Sequence, residues 1–146
     1  MKLQFTYLFL LFSFIANASV TEIDSIKAIL NKQTSEDTIR LNTLIQLANA
    51  CLKEKIVDCY TYADEASSLA LKLEDKGNYA LSQQIIGTYY EEIRNDYDTA
   101  LYFYKNAVVV YDEMQNNIGL GNSYFSIALN YSNRKDYATA IEYYLK

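Results

Sequence analysis

The chain has 146 residues, with 13 Lys and Arg against 18 Asp and Glu and a net charge of −5, and it contains no His, Pro or Trp. An acidic chain without a Lys/Arg-rich stretch cannot neutralise phosphates, so neither nucleic acid nor an anionic lipid surface is expected as a partner. Without His the usual general base and the commonest metal ligand are missing, and no nucleophile-base pair replaces them. We therefore expect no enzyme, cofactor or metal site.

Residues 1–18 are predicted to be a secretory signal peptide. Residue 2 is Lys, residues 3–15 form an apolar run, and residues 16–18 read Ala-Asn-Ala, a small-residue cleavage site. The run is shorter than the roughly 20 residues that span a bilayer, which disfavours an uncleaved anchor. We expect export to the periplasm, or to the periplasmic face of the inner membrane.

Residues 19–34 are predicted to form an N-terminal capping helix, because Ile23, Ile26 and Leu30 recur on one helical face. Residues 35–146 then divide into three hairpins, at about 35–76, 77–115 and 116–146, the last incomplete. We expect Asp37 and Asp58 to cap the two helices of the first hairpin and the segment at Gly77 to end the second of them.

A pattern of small and aromatic residues recurs about 40 residues apart, which indicates a helical repeat. The two clear copies read Ile86-Gly87-x2-Tyr90-x9-Ala100-x3-Tyr104-x2-Ala107 and Ile127-Ala128-x2-Tyr131-x8-Ala140-x3-Tyr144, and a degenerate copy starts at Leu47-Ala48-x2-Cys51. The β-branched run at 108–110 stays helical in this interpretation, because the residues around it keep strict 3-4 spacing. The pattern predicts an all-α solenoid of antiparallel helical hairpins.

Over about residues 36–146 the chain resembles the tetratricopeptide repeat family. In that family a Gly or Ala in helix A of a hairpin packs against an Ala in helix B, as Gly87 with Ala100 and Ala128 with Ala140 would do here. The period is longer than the family's usual length of about 34, and the closing Pro is missing. The resemblance implies a right-handed superhelix in which aromatic residues fill the space between hairpins, namely Tyr90, Tyr104, Tyr131 and Tyr144.

The resemblance also implies a concave groove, lined by helix A of successive repeats, that holds an extended or helical peptide. Its lining residues here are Ile45, Asn49 and Leu52, then Gln84, Thr88 and Glu91, then Asn122, Phe125 and Leu129. This mixture of apolar and amide side chains suits a protein segment better than a small charged metabolite. The alternative is a wall that merely faces solvent.

Two other groups of residues have a plain structural interpretation beside a chemical one. Cys51 and Cys59 lie near the facing ends of one hairpin, where an exported protein could hold a disulfide, but both are also packing positions of the repeat. The carboxylates at 91, 92, 96 and 98 lack the Gly-containing loop of a calcium site, so we interpret them as a solvated helix face and helix caps.

The function expected from these features is an exported module that binds a protein or peptide. By analogy it would be the extracytoplasmic sensing portion of a larger membrane signalling protein, such as a histidine kinase, a cyclase or a transcription regulator. The last helical pattern is unfinished at residue 146, so we expect an amino-terminal fragment that contacts a membrane only through a later segment. The alternative is a free-standing periplasmic scaffold or adaptor without signalling output.

Overall fold

A computed structural model describes residues 22–146, so the predicted signal peptide and the start of the predicted capping helix lie outside the described residues. Over residues 22–146 the protein is all-α, as predicted. Helix α1 covers 22–30, and it is followed by α2 (Thr38–Lys53), α3 (Cys59–Lys72), α4 (Lys76–Glu92), α5 (Tyr97–Glu113), α6 (Asn117–Asn133) and α7 (Tyr137–Tyr144). The pairs α2/α3, α4/α5 and α6/α7 form three hairpins that stack in chain order.

Four of the turns between helices share one design. Each has a non-glycine residue at positive φ followed at once by an Asp or Asn that caps the next helix: Glu74-Asp75, Asn95-Asp96, Gln115-Asn116 and Lys135-Asp136. The cap also closes the preceding helix, as the Asp75 N–H does by donating to the carbonyl of Ala70 at 2.9 Å. Each turn therefore ends one helix with a Schellman-type bond and starts the next with a side-chain cap.

These turns correct two of the predicted helix ends. Gly77 does not end α3, because it lies in the first turn of α4 and Glu74 takes the left-handed position instead. Asp37 accepts a hydrogen bond from the Arg40 N–H and caps α2 as predicted. Asp58 stands at the start of α3 but makes no side-chain cap bond, because its own backbone is already helical.

The first core joins α1 to the first hairpin. Ile23 and Leu30 of α1 are buried together with the fully buried leucines of α2. Beyond the end of α1, the Gln33 amide donates to the Thr43 hydroxyl at 3.0 Å, which ties the connecting segment to α2. The described part of the predicted capping segment therefore lies against the first hairpin.

A glycine sets the close approach of α4 and α5. A Cβ atom added to Gly87 would stand 2.6 Å from the Tyr104 ring and 3.2 Å from the carbonyl oxygen of Ala100, so no side chain fits there. In the third hairpin Ala128 and Ala140 are both buried at the matching positions. The predicted pairing of small residues is confirmed.

Aromatic stacking also recurs with the repeat. Tyr90 of α4 stacks on Phe103 of α5 with centroids 5.6 Å apart, and Tyr131 of α6 stacks on Tyr143 of α7 at 5.7 Å. Tyr104 is buried between hairpins as predicted. The same prediction was wrong for Tyr144, which is 47% exposed because no helix of the described chain packs beyond it.

Both cysteines are fully buried with free thiols. Burial raises the pKa of Cys59 from 9.0 to about 11, and the neighbouring Cys51 adds to the shift. A thiol in that state packs as a small apolar side chain and is a poor nucleophile. In the structure Cys51 and Cys59 are therefore buried packing residues and do not form a disulfide.

Candidate functional site

The predicted groove residues of the first hairpin differ from one another in exposure. Ile45 is 6% exposed and belongs to the first core, so its prediction as a lining residue was wrong: it packs among the leucines of α2. Asn49 is exposed and Leu52 is half-buried. Of Ile45, Asn49 and Leu52, only Asn49 therefore has a side chain that is exposed to solvent.

In the second hairpin, Gln84 and Thr88 are occupied by contacts between helices. The Gln84 amide nitrogen donates to the Ser123 hydroxyl of α6 at 2.9 Å, and the Tyr111 hydroxyl lies 3.5 Å from the Gln84 carbonyl oxygen. The Tyr104 hydroxyl lies 3.3 Å from Thr88 Oγ1. Because both side chains are half-buried and hydrogen-bonded, they fix the second hairpin against its neighbours more than they offer a surface.

The structure differs most clearly from the sequence prediction at Glu91. The Glu91 side chain is 8% exposed. Its Oε1 accepts a hydrogen bond from the Asn133 amide at 2.7 Å. Its Oε2 accepts one from the Tyr104 hydroxyl at 3.1 Å and one from the Asn130 amide at 3.2 Å. The prediction of a solvated, groove-lining carboxylate was wrong, because α6 covers this face of α4. The fully buried Asn130 also donates to the carbonyl of Tyr97 at 3.0 Å, so this network joins α4, α5 and α6.

The electrostatics of this network favour a protonated tyrosine. Burial raises the pKa of Tyr104 far above its ordinary value of 10.0, and the Glu91 carboxylate adds to the rise, although the Thr88 hydrogen bond opposes it. Tyr104 therefore stays a hydrogen-bond donor at neutral pH. The hydrogen bonds of this network hold the second hairpin against the third.

The other three carboxylates of this region serve as interpreted from the sequence. Asp96 caps α5 by accepting from the Thr99 N–H at 3.0 Å and from its hydroxyl at 2.7 Å, and these bonds lower the pKa of Asp96. Asp98 is exposed and pairs with Arg134 at 2.8 Å, and Glu92 is exposed. Within residues 22–146 no group of three or more His, Cys, Asp or Glu side chains is placed to hold a metal ion.

The third hairpin carries the accessible part of the predicted groove. Asn122, Phe125 and Leu129 of α6 are all exposed, Phe125 at 54% and Leu129 at 39%. None of the 17 residues of α6 is Asp, Glu, Lys or Arg. This part of the surface is therefore uncharged in a protein that is acidic overall.

Two residues of α7 extend that surface beyond the sequence prediction. Ile141 is 58% exposed, and the Tyr144 ring lies 5.7 Å from the Phe125 ring between centroids. We call the exposed side chains of Phe125, Leu129, Ile141 and Tyr144 the end face. The repeat pattern assigned Tyr144 to internal packing and did not single out Ile141. The exposure of these two residues could have been found from the absence of a following helix in residues 22–146 that would cover their positions.

A separate cleft of about 580 Å³ lies between α1 and α2. Asn49 lines it together with Gln46, Ile26 and Lys53. No local motif in the sequence indicates this cleft, because it forms between two helices and depends on how α1 packs against α2. Among the helices of residues 22–146, none has both the length and the apolar character needed to cross a membrane.

The structure is similar to a solved tetratricopeptide repeat domain. The crystal structure of the TPR domain of Arabidopsis FLU superposes with a TM-score of 0.65 and 19% sequence identity, covering 71% of this chain and 87% of that one. At this identity the similarity establishes the fold, a tetratricopeptide-type solenoid of antiparallel hairpins, as predicted. The sequence matches no family model and no curated protein.

Proposed function

We propose that this chain is an exported module that binds a protein or peptide through Asn122, Phe125 and Leu129. The observation that carries the proposal is an exposed aromatic and an exposed leucine on a helix without charged residues. Contiguous apolar patches on soluble proteins mark interaction sites, and interface cores are depleted in charge and enriched in aromatic residues.

The finer form of the proposal places the module in front of a membrane signalling protein. The apolar run at 3–15 and the Ala-Asn-Ala site support export. A ligand that binds one curvature of the solenoid better than another would shift the population of curvatures, which a following membrane helix could transmit. A coding sequence that continues past residue 146 into a hydrophobic span of about 20 residues would support this role. Repeats followed by a stop codon would support an adaptor instead.

Site-specific crosslinking tests the binding function. A photoreactive amino acid at Asn122 should give one dominant adduct in the cells that make the protein. The same group at Val109, which is also exposed but lies on α5, should not give that adduct. Matching adducts from both positions, or none from Asn122, would refute the proposed surface.

A reporter fusion tests export separately. Residues 1–30 joined to alkaline phosphatase, which is active only after export, should give active enzyme. Leu10→Arg places a charge in the apolar run and should abolish the activity. Equal activity with and without this substitution would contradict the signal peptide.

A further inference from the structure

A cleft of about 440 Å³ lies between the ends of α3 and α5, beside the first turn of α4. Helices α3 and α5 both pack on α4 and do not pack on each other. All residues that line the cleft lie between positions 70 and 113, in the first and second hairpins. Ligand clefts in proteins span roughly 300–1,000 Å³, so this cleft is large enough to hold a side chain of a partner.

The gap between α3 and α5 is filled near the start of the two helices and open near their ends. Tyr60 of α3 lies 6.0 Å from Tyr90 of α4 between ring centroids, and Tyr90 stacks on Phe103 of α5 at 5.6 Å. Near the helix ends the gap is lined by Leu71 and Val110, and Leu71 is 60% exposed. Aromatic rings therefore pack one half of the gap, and the other half is accessible.

The accessible half combines aliphatic side chains with an aromatic ring. Leu71 of α3 and Val110 of α5 supply the aliphatic part, and the half-buried Tyr79 of α4 lines the same cleft. Long basic side chains lay their aliphatic stems along apolar surface, and guanidinium groups stack on aromatic rings. This lining therefore suits a long basic side chain.

Carboxylates outnumber cations at this cleft. Glu74, Asp75 and Glu113 line it, and Lys76 is the one basic residue among its lining residues. Lys76 Nζ lies 3.2 Å from Glu113 Oε2, so these two charges match each other. Three carboxylates and one ammonium leave a formal charge of −2, which belongs to Glu74 and Asp75.

Neither of these two carboxylates is paired with a cation within residues 22–146. Asp75 accepts hydrogen bonds from the backbone N–H and the side-chain amide of Asn78, at 3.0 and 2.8 Å, and both donors are neutral. Lys72, two residues before Glu74, is paired with Glu36 in the segment before α2. The negative charge at the cleft is thus uncompensated, which favours a cationic ligand.

We infer that the cleft binds an arginine side chain of a partner protein, within an otherwise apolar segment. Its aliphatic stem lies along Leu71 and Val110, and its guanidinium reaches Glu74. Arginine fits better than lysine, because its planar guanidinium both stacks on a ring such as that of Tyr79 and pairs with a carboxylate through two hydrogen bonds. The cleft shares no residue with the surface of Asn122, Phe125 and Leu129, so this inference goes beyond the proposed function and does not depend on it.

Two peptides that differ in one charge test the inference. Acetyl-Ala-Leu-Arg-Leu-Ala-amide carries the proposed group, and the same peptide with citrulline in place of arginine keeps the shape but loses the charge. Titrated into the isotope-labelled, folded protein, the arginine peptide should shift the amide resonances of Leu71, Glu74 and Val110 until they saturate. The citrulline peptide should bind about threefold to fivefold more weakly, which is the size expected for an exposed ion pair.

Substitutions in the protein locate the charge that the peptide recognises. Glu74→Gln should weaken binding of the arginine peptide by about the same factor and should leave binding of the citrulline peptide unchanged. Glu92→Gln is the matched control, because Glu92 is exposed on α4 outside the cleft, and it should change neither affinity. Glu74 is also exposed, so both variants should fold, which circular dichroism checks.

Any of several results would overturn the inference. Among them are the absence of saturable shifts at the cleft, equal binding of the two peptides, and equal binding of the arginine peptide to Glu74→Gln. Butylguanidinium that binds as tightly as the peptide would assign the cleft to a small cation. Self-association that light scattering detects and that Glu74→Gln abolishes would assign it to a second copy. If the Asn122 crosslink forms while the arginine peptide fails to bind, the proposed function stands and this inference is wrong.

Discussion

Glu91 shows how one side chain decides the relation between two hairpins. Its carboxylate accepts hydrogen bonds from Tyr104 of α5 and from Asn130 and Asn133 of α6. Asn130 and Asn133 lie 39 and 42 residues away in the sequence, so no local pattern could have found them. The helical face of Glu91 could be predicted, but not the helix that covers that face.

Glu91→Gln should lower the free energy of unfolding by about 1–3 kcal/mol, because the new amide N–H2 faces groups that are themselves donors. Urea denaturation measures the change. Glu92→Gln is the matched control, since Glu92 is exposed, and it should change stability by less than about 0.5 kcal/mol. Equal effects of the two substitutions would show that the buried network is not formed.

Two glycines in helix interiors give opposite predictions for the same substitution. Gly87→Ala should destabilise the protein, because its Cβ would stand 2.6 Å from the Tyr104 ring. Gly121→Ala should stabilise it by up to about 1 kcal/mol, because alanine is the better helix former and the site is open. Melting temperatures of the two variants should therefore move in opposite directions, and a shift in the same direction would contradict the packing of α4 on α5.

Buried protonated groups predict a loss of stability at alkaline pH. The pKa of Cys59 is raised to about 11, above its ordinary value of 9.0, so the unfolded chain releases this proton first. The contribution of Cys59 to the free energy of unfolding should be constant below about pH 9 and should fall as the pH rises from about 9 to 11. Tyr104 adds to this fall above its ordinary pKa of 10.0.

Urea midpoints across this pH range measure the effect. The double variant Cys59→Ala, Tyr104→Phe should be less stable at neutral pH, because it loses buried contacts, yet its stability should depend less steeply on pH. A slope as steep as that of the parent protein would show that other groups cause the alkaline loss.

At the scale of the helices, the sequence located six of the helical segments and the places of most turns between them, but not the backbone conformation of those turns. The small and aromatic spacing located the hairpins, because residues such as Gly87 and Ala100 must meet wherever two helices approach closely. The turn conformation was not predicted because these turns use the left-handed region without glycine, as Glu74 does at φ 58°. No particular residue type marks such a position in the sequence, because the Asp or Asn that follows it stabilises the turn by capping the next helix.

Gln115→Gly tests this description of the turns. Gln115 is exposed and has a φ of 54°, a conformation that strains any residue with a Cβ atom. Glycine removes the strain but costs entropy in the unfolded chain, so the net gain should be up to about 1 kcal/mol. Gln115→Ala keeps the Cβ and should be near neutral. A destabilising Gln115→Gly would mean that the turn does not adopt this conformation.

At the scale of the molecule, the two ends of the solenoid formed by residues 22–146 are covered differently. Helix α1 covers the first hairpin with Ile23 and Leu30, whereas the end face of the third hairpin has no cover within the described residues. The sequence indicated that the last repeat is incomplete, but it did not show that α7 shares the exposed surface of α6. That surface depends on how α7 packs on α6, which brings Tyr144 to Phe125.

Stability should therefore decrease along the chain towards the open end. Repeat proteins gain stability from each interface between neighbours, and the third hairpin has one such interface where the second has two. Amides of α7 should open by local unfolding at a lower free energy than those of α5.

Hydrogen exchange of the isolated protein, followed by mass spectrometry, measures this difference in local stability between α7 and α5 most directly. We expect the amides of α7 to exchange at least ten times faster than those of α5. Equal protection of α7 and α5 in the isolated protein would mean that the end face is already covered, which would contradict the open binding surface.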